Sequence, residues 1–202
     1  MTTSDDSARL QLGAGETQVL LIRHAETAWS KAGRHTGRSD IPLDDDGRRA
    51  ARDLRSRLGG LEPAQVLTSP LQRARMTCEL AGYGAHAVAD DDLMEWDYGT
   101  YEGRTSADIR VTAPGWNPFI DGCPGGERAE DVGRRADRVI ERLLGMEGQP
   151  VVIFSHAHFL RVLAVRWIRL DPSEGRHLVL STCSVSCLSY EREERAITSW
   201  NT

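Results

Sequence analysis

The sequence predicts an α/β fold, a three-layer sandwich with a mostly parallel central sheet and helices on both faces. Two observations carry that expectation. The runs Val19-Leu20-Leu21-Ile22 and Val151-Val152-Ile153-Phe154 are short, aliphatic or aromatic, and free of charge, as strands covered on both faces must be. Segments with apolar residues at helical spacing alternate with such runs, and no repeat or long linker interrupts the order, which is the pattern of βα units.

The elements follow in order. Residues 1–17 are polar and rich in small side chains and read as a flexible segment without the apolar core of a signal peptide. A single domain is expected over 18–202. Its first strand spans about Gln18 to Arg23, and a polar loop from Glu26 to Leu43 carries Gly33, Gly37 and Pro42. Asp44-Asp45-Asp46 offers a helix N-cap with acids at the positive helix end. Ala50, Ala51, Leu54 and Leu58 give that helix its apolar stripe, and Gly59-Gly60 ends it. Gln65 to Thr68 is the second strand. Ser69-Pro70 opens a helix to about Ala81, with Pro70 in its first turn. Val88 marks a short edge strand. Between Asp90 and Gly126 the periodicity fails, and glycines, prolines, Trp96 and Trp116 read as an ordered excursion that caps the site. Glu127 to Met146 is an amphipathic helix with Val132, Ala136, Val139, Ile140 and Leu143 on one face and Arg134-Arg135 on its solvated face. After the strand at Val151 comes a helix from His158 to Leu170. Val185 to Tyr190 and Ala196 to Trp200 alternate like closing strands at a sheet edge.

The net charge of −5 argues against a nucleic-acid or anionic-membrane partner, which would call for a basic face. No segment approaches the roughly 18 apolar residues of a membrane span. Cys78, Cys123, Cys183 and Cys187 form no CxxC pair and read as the reduced thiols of a cytoplasmic protein.

The chemistry gathers at strand ends. Arg23-His24-Ala25 follows the first apolar run, and Ser155-His156-Ala157 ends the other. Two histidines thus stand at the carboxyl ends of core strands, the edge where open α/β sheets bind ligands. Arginine presents a planar fork suited to phosphate, and histidine serves as nucleophile, base or donor. Arg73 lies in the first turn of the helix after the second strand. Glu95, between Met94 and Trp96, reads either as a carboxyl partly removed from water and usable as a proton donor or as a surface loop acid. Ser30, Thr36 and the Gly37 N–H are candidate substrate contacts. Taken one at a time, each is better read as an ordinary exposed polar residue.

Together these residues resemble the histidine phosphatase superfamily, the phosphoglycerate-mutase-like group. Arg23-His24-Ala25-Glu26-Thr27 is similar to its RHGET signature, Leu93 to Gly103 to its acid-bearing LxExxxGxxEG segment, and Ser155-His156-Ala157 to its SHG. Thr36-Gly37 through Pro42-Leu43 and Gly47 resemble its TG…D.PL…G stretch. Ala25 and Ala157 stand where glycine is usual. Trp29-Ser30-Lys31, Glu95 to Gly99, Asp121 to Glu127 and Ser155 to His158 resemble a subgroup of acid phosphatases and sedoheptulose-1,7-bisphosphatase.

The resemblance implies that His24 attacks phosphorus and forms a phosphohistidine, with its other nitrogen held by a carbonyl or similar acceptor. It implies that Arg23, Arg73 and His156 hold the phosphoryl oxygens and that Glu95 protonates the leaving group, then orients water. Ser30, His35, Thr36, Gly37, Tyr98, Ala157, His158 and Arg161 would line the substrate side. No metal and no cofactor are expected. The partner implied is a small phosphorylated metabolite, a sugar phosphate first, and a homodimer stays open. Mutases of the superfamily carry an Arg-Arg pair in a longer insertion, which is not found between Tyr98 and Gly126. A mutase and a non-catalytic phospho-ligand binding domain are the alternatives.

Overall fold

A computed structural model describes residues 18–146 and 150–202. The expected flexible segment 1–17 lies outside them. Strands β1 (Val19–Arg23), β2 (Gln65–Thr68), β3 (Ala87–Ala89), β4 (Val151–Ser155), β5 (Val185–Glu191) and β6 (Glu194–Ser199) form a six-stranded sheet in the order β3-β2-β4-β1-β5-β6. The β3–β2, β2–β4 and β4–β1 pairs are parallel, and β5 is antiparallel to both β1 and β6. Val19 pairs with Val151 and Arg23 with Ser155. His24 and His156 therefore leave adjacent parallel strands at the same edge, and His24 N–H donates to the Ser155 carbonyl at 2.9 Å.

The helices are α1 (Ala28–Lys31), α2 (Asp45–Arg57), α3 (Gln72–Leu80), α4 (Ser106–Thr112), α5 (Pro118–Asp121), α6 (Ala129–Leu144) and α7 (Ala157–Trp167). The two-residue period of a strand divides each apolar run between two cores. Leu20, Ile22, Val152 and Phe154 pack with Ala51 and Leu54 of α2 and Cys78 of α3. Leu21 and Ile153 pack with Val132, Val139 and Leu143 of α6 and Leu163 and Trp167 of α7. With both faces covered, each such side chain contributes about 1.5–3 kcal/mol on burial, and a charge anywhere in the run would enter a core. The expected three layers are present.

Local differences have local causes. The loop after β1 contains α1, which is too short to show an apolar stripe. It is held by a capping box in which Ser30 N–H donates to Thr27 Oγ1 and Thr27 N–H donates to Ser30 Oγ. α3 starts at Gln72, so Pro70 precedes the helix rather than occupying its first turn. Ser69 Oγ accepts from Leu71 N–H, and the Gln72 N–H is capped from a distant loop by Asp40 Oδ1 at 2.7 Å. α7 begins at Ala157, ahead of the expected His158, and ends at Trp167, with Arg169 at φ 63 turning the chain away.

The stretch 90–126 holds two 3₁₀ turns together with α4 and α5. Trp96, Ile109, Trp116 and Phe119 order it by joining the core formed with α6 and α7, and all four are buried. Among the described residues no helix is long and apolar enough to cross a membrane. All four cysteines are free and buried, and burial pushes the Cys78 and Cys123 thiols up to about 12.

Candidate active site

His24, directly after β1, lines a cavity of about 310 Å³. Its Nδ1 lies 2.7 Å from the Ala25 carbonyl oxygen. A carbonyl only accepts, so the proton is on Nδ1 and Nε2 keeps its lone pair. Burial, then the charges of Arg73 and Arg23, hold this imidazole well below 6.5, hence neutral. Ala25 N–H donates to Thr77 Oγ1 at 3.0 Å, which ties the turn after β1 to α3. Neither Ala25 nor Ala157 has a positive φ, so alanine in place of glycine introduces no backbone strain at either position.

Arg23 donates from Nη1 to the Leu180 carbonyl at 2.5 Å, while its buried Nε–H has no partner among the described residues. An unsatisfied buried donor is costly unless something binds there. His156 lies 5.2 Å from His24, ring to ring. Its Nδ1 accepts from Arg73 Nε at 3.2 Å, which leaves Nε2–H to donate to Ser69 Oγ at 2.8 Å. Burial first, with Arg73 next, keeps it well below 6.5.

Arg73 itself is fully buried. Besides His156 it donates to the carbonyls of Thr36, Gly37 and Ser39. The structure thus brings Arg73 and His156 to the site, but behind the cavity wall, joined to each other and to the 36–39 loop.

Glu95 is buried to 4% exposure. Its Oε1 accepts from the N–H groups of Trp96 and Phe159, both at 2.9 Å, and its Oε2 accepts from His158 N–H at 3.1 Å. His158 and Phe159 are in the first turn of α7, whose free N–H groups a carboxylate satisfies. The general-acid candidate therefore doubles as a cap for the helix that follows the second histidine.

The rest of the rim is mixed. His35, Tyr98, Ala157, His158 and Arg161 line the cavity as expected. His158 Nδ1 lies 2.5 Å from Tyr98 Oη, and burial holds His158 well below 6.5. His35 Nε2 pairs with Ser106 Oγ, and burial, then Arg110, lowers His35 to about 4. Ser30 and Thr36 also line the cavity, but their hydroxyls donate to the carbonyls of Thr27 and Arg34.

Gly37 corrects the sequence expectation. Its N–H is not free for substrate: it donates to Glu102 Oε1 at 2.8 Å, and the same oxygen accepts from Ser39 N–H at 3.1 Å. Its closeness to Trp96 explains the glycine, since a Cβ would stand 2.4 Å from the Trp96 carbonyl oxygen.

Arg135 is the second correction. Arg134 is exposed, but Arg135 is buried, paired with Glu127 at 2.8 Å, and donates to the carbonyls of Asp92 and Met94 at 2.7 and 2.9 Å. Glu127 Oε2 accepts in turn from Asp97 N–H at 2.8 Å. This ion pair holds the backbone on both sides of Glu95. The reading as a solvated face failed because its partners, carbonyls in the 90–126 stretch, leave no mark in the local pattern around Arg135. Arg34, Arg176 and the Leu178–Leu180 wall were missed altogether. The last segment has no motif or periodicity that could have shown it.

The comparisons agree with this geometry. Residues 19–202 match the family described as the histidine phosphatase superfamily (branch 1). An acid phosphatase of Mycobacterium tuberculosis is 39% identical over 92% of this chain and 93% of the relative. A sedoheptulose 1,7-bisphosphatase of Saccharomyces cerevisiae is 33% identical over 76% of this chain and 68% of the relative. The solved structure of an open-reading-frame product of M. tuberculosis superposes with a TM-score of 0.87 at 37% identity, covering 92% of this chain and 97% of that one. With the paired strand-end histidines, the adjoining arginine and the buried glutamate in place, the chain belongs to the histidine phosphatase superfamily.

Proposed function

We propose that this protein is a phosphatase that hydrolyses small phosphorylated metabolites, sugar phosphates first, through a phosphohistidine on His24. The observation that carries the reading is the state of His24. Nδ1 is committed to the Ala25 carbonyl, which leaves the neutral Nε2 free, and His24 lines the same cavity as Arg23, whose buried Nε–H has no partner among the described residues. In the first step Nε2 attacks phosphorus and the ester P–O bond breaks. The leaving oxygen takes its proton from Glu95. In the second, Glu95 as carboxylate accepts a proton from water as the water oxygen bonds phosphorus and the N–P bond breaks, restoring His24 and releasing phosphate. Arg23 donates to the phosphoryl oxygens, the fully buried Arg73 contributes positive charge, and His156 carries a further donor at Nε2–H, now bonded to Ser69. Positioning and charge carry most of such a reaction, because the transition state spreads charge over the equatorial oxygens.

Metal independence belongs to the same proposal. Glu95 is the carboxylate in the cavity wall, and main-chain N–H groups already engage both of its oxygens. The hydrolase reading is favoured over a mutase by the relatives named above and by the lack of an Arg-Arg pair in the 98–126 stretch. A cytoplasmic location is proposed with it, supported by four free buried thiols.

The test is a rapid-quench trap with ³²P-labelled substrate. Acid-labile, base-stable label on the wild type, its loss in His24→Ala, and inorganic phosphate as product are expected. Label surviving in His24→Ala, or isomerised substrate as the sole product, overturns the reading.

A further inference from the structure

None of the residues Asp121 to Glu127 lines the cavity at His24, yet this stretch and α6 together grip the segment that carries Glu95. Glu127 Oε2 accepts from Asp97 N–H at 2.8 Å, the Glu127 main-chain N–H donates to the Asp97 carbonyl at 2.9 Å, and the Glu127 carbonyl accepts from Trp96 Nε1 at 3.0 Å. The two backbones meet so closely that a Cβ on Gly126 would stand 2.2 Å from the Asp97 carbonyl oxygen. Arg135 of α6 closes the other side. It pairs with Glu127 through Nε and Nη2, at 2.8 and 2.9 Å, and its Nη1 donates to the carbonyls of Asp92 and Met94. The same guanidinium lies 5.1 Å from the Phe159 ring centroid, and Phe159 N–H is one of the donors to Glu95 Oε1. The chain is thus held on both sides of Glu95, and so is one of the residues that orient its carboxylate.

We propose that Glu127 and Arg135 are positioning residues for the general acid: neither lines the cavity, and both act by fixing the place of the Glu95 carboxyl. The proposal rests on the phosphatase reading and on Glu95 as its acid. The carboxylate takes its hydrogen bonds from Trp96, in its own segment, and from His158 and Phe159 of α7. It keeps its aim only while that segment and α7 keep their spacing. Arg135 spans the gap, with hydrogen bonds to the segment and a ring contact to α7. A buried ion pair adds little net stability over apolar side chains of similar volume, so what this pair contributes is geometry. The planar fork of arginine reaches Glu127 and two carbonyls at once, which the single nitrogen of lysine cannot do. A proton donor must come within about 2.6–3.2 Å of the oxygen it serves, and a misplacement of about 1 Å costs about 10²-fold in rate.

The test measures kcat/KM across p-nitrophenyl phosphate, phenyl phosphate and fructose 6-phosphate in the wild type, Glu127→Gln, Arg135→Lys and Glu95→Gln, and in Glu95→Gln combined with each of the other two, below the Tm of every variant. This ratio covers only the steps through departure of the leaving group, so it reads acid help apart from the later attack of water. Glu127→Gln and Arg135→Lys should each lose about 10–100-fold on the poorest leaving group that wild type turns over and about 3-fold or less on the nitrophenyl ester, which needs little protonation. In the Glu95→Gln background the same substitutions should add about 3-fold or less, because no acid is left to position. Equal losses across the series, losses undiminished in the Glu95→Gln background, or no loss at all overturn the positioning role and leave the phosphatase reading standing. Equal losses across the series for Glu95→Gln itself remove the acid and the proposal with it. No hydrolysis of any ester by wild type overturns the proposal and the phosphatase reading together. Melting curves identify a variant that fails to fold, and the other then decides; failure of both makes the pair a requirement of the fold and overturns a separate positioning role.

Discussion

Replacing Glu95 by glutamine separates two jobs that this side chain holds at once. Its carboxylate accepts three main-chain hydrogen bonds, two at Oε1 and one at Oε2. A glutamine can place its carbonyl oxygen at the Oε1 position and keep the first two. Its NH₂ then faces His158 N–H, and two donors meet where a donor met an acceptor. A buried N–H left without an acceptor costs about 1–3 kcal/mol, which for a chain of this size lowers Tm by about 2–12 °C. The second loss is chemical. General-acid help is worth about 10²–10⁴ in rate, and it matters for an alkoxide leaving group far more than for a nitrophenolate. Glu95→Gln should therefore lose about 10²-fold or more on a sugar phosphate and much less on p-nitrophenyl phosphate, with a modest drop in Tm. Stopped-flow kinetics across a leaving-group series, with the chemical step shown to limit, give the slope. Equal losses across the series would remove Glu95 as the acid, and an unchanged Tm would remove it as the cap of α7.

Arg135→Ala should destabilise the protein by about 3–5 kcal/mol in a urea titration, because it leaves Glu127 and the carbonyls of Asp92 and Met94 without their donor; a loss under about 1 kcal/mol would return Arg135 to the surface. Gly37→Ala sets a methyl 2.4 Å from the Trp96 carbonyl and 2.8 Å from Glu102 Oε2, so a cost of about 1–3 kcal/mol and reduced kcat from displacement of the Arg73-bound loop are expected, while wild-type values for both would show the loop to be loose. Histidine burial sets the pH response: His24, His156 and His158 lie well below 6.5 and His35 at about 4. Each is neutral in the fold where the unfolded chain already binds a proton, so stability is complete above pH 6.5, falls as pH drops below it, and the His35 contribution is lost by about pH 4. Denaturation midpoints at about pH 7.5 and about pH 5 check this, and a flat profile contradicts it.

Much of the molecule is legible in the chain. The charge-free runs at Val19 and Val151 specify strands covered on both faces, and the amphipathic stripes at Leu54 and Val139 supply the covers. Placing His24 and His156 directly after those runs is enough to bring them to one edge, because parallel neighbours in register end together. The placement of Arg23, His24 and His156 at that edge was legible for the same reason: the local motif and the strand end coincide. What tertiary structure decided is which polar groups are still free. The Gly37 N–H belongs to Glu102, Arg135 to Glu127 and two carbonyls, and Arg73 to His156 and the 36–39 loop. Arg161 is held by the residue before Arg176. An arginine or a backbone N–H has the same sequence neighbours whether it meets water or a carbonyl from far along the chain. Only the packing of distant segments excludes the water and assigns the partner.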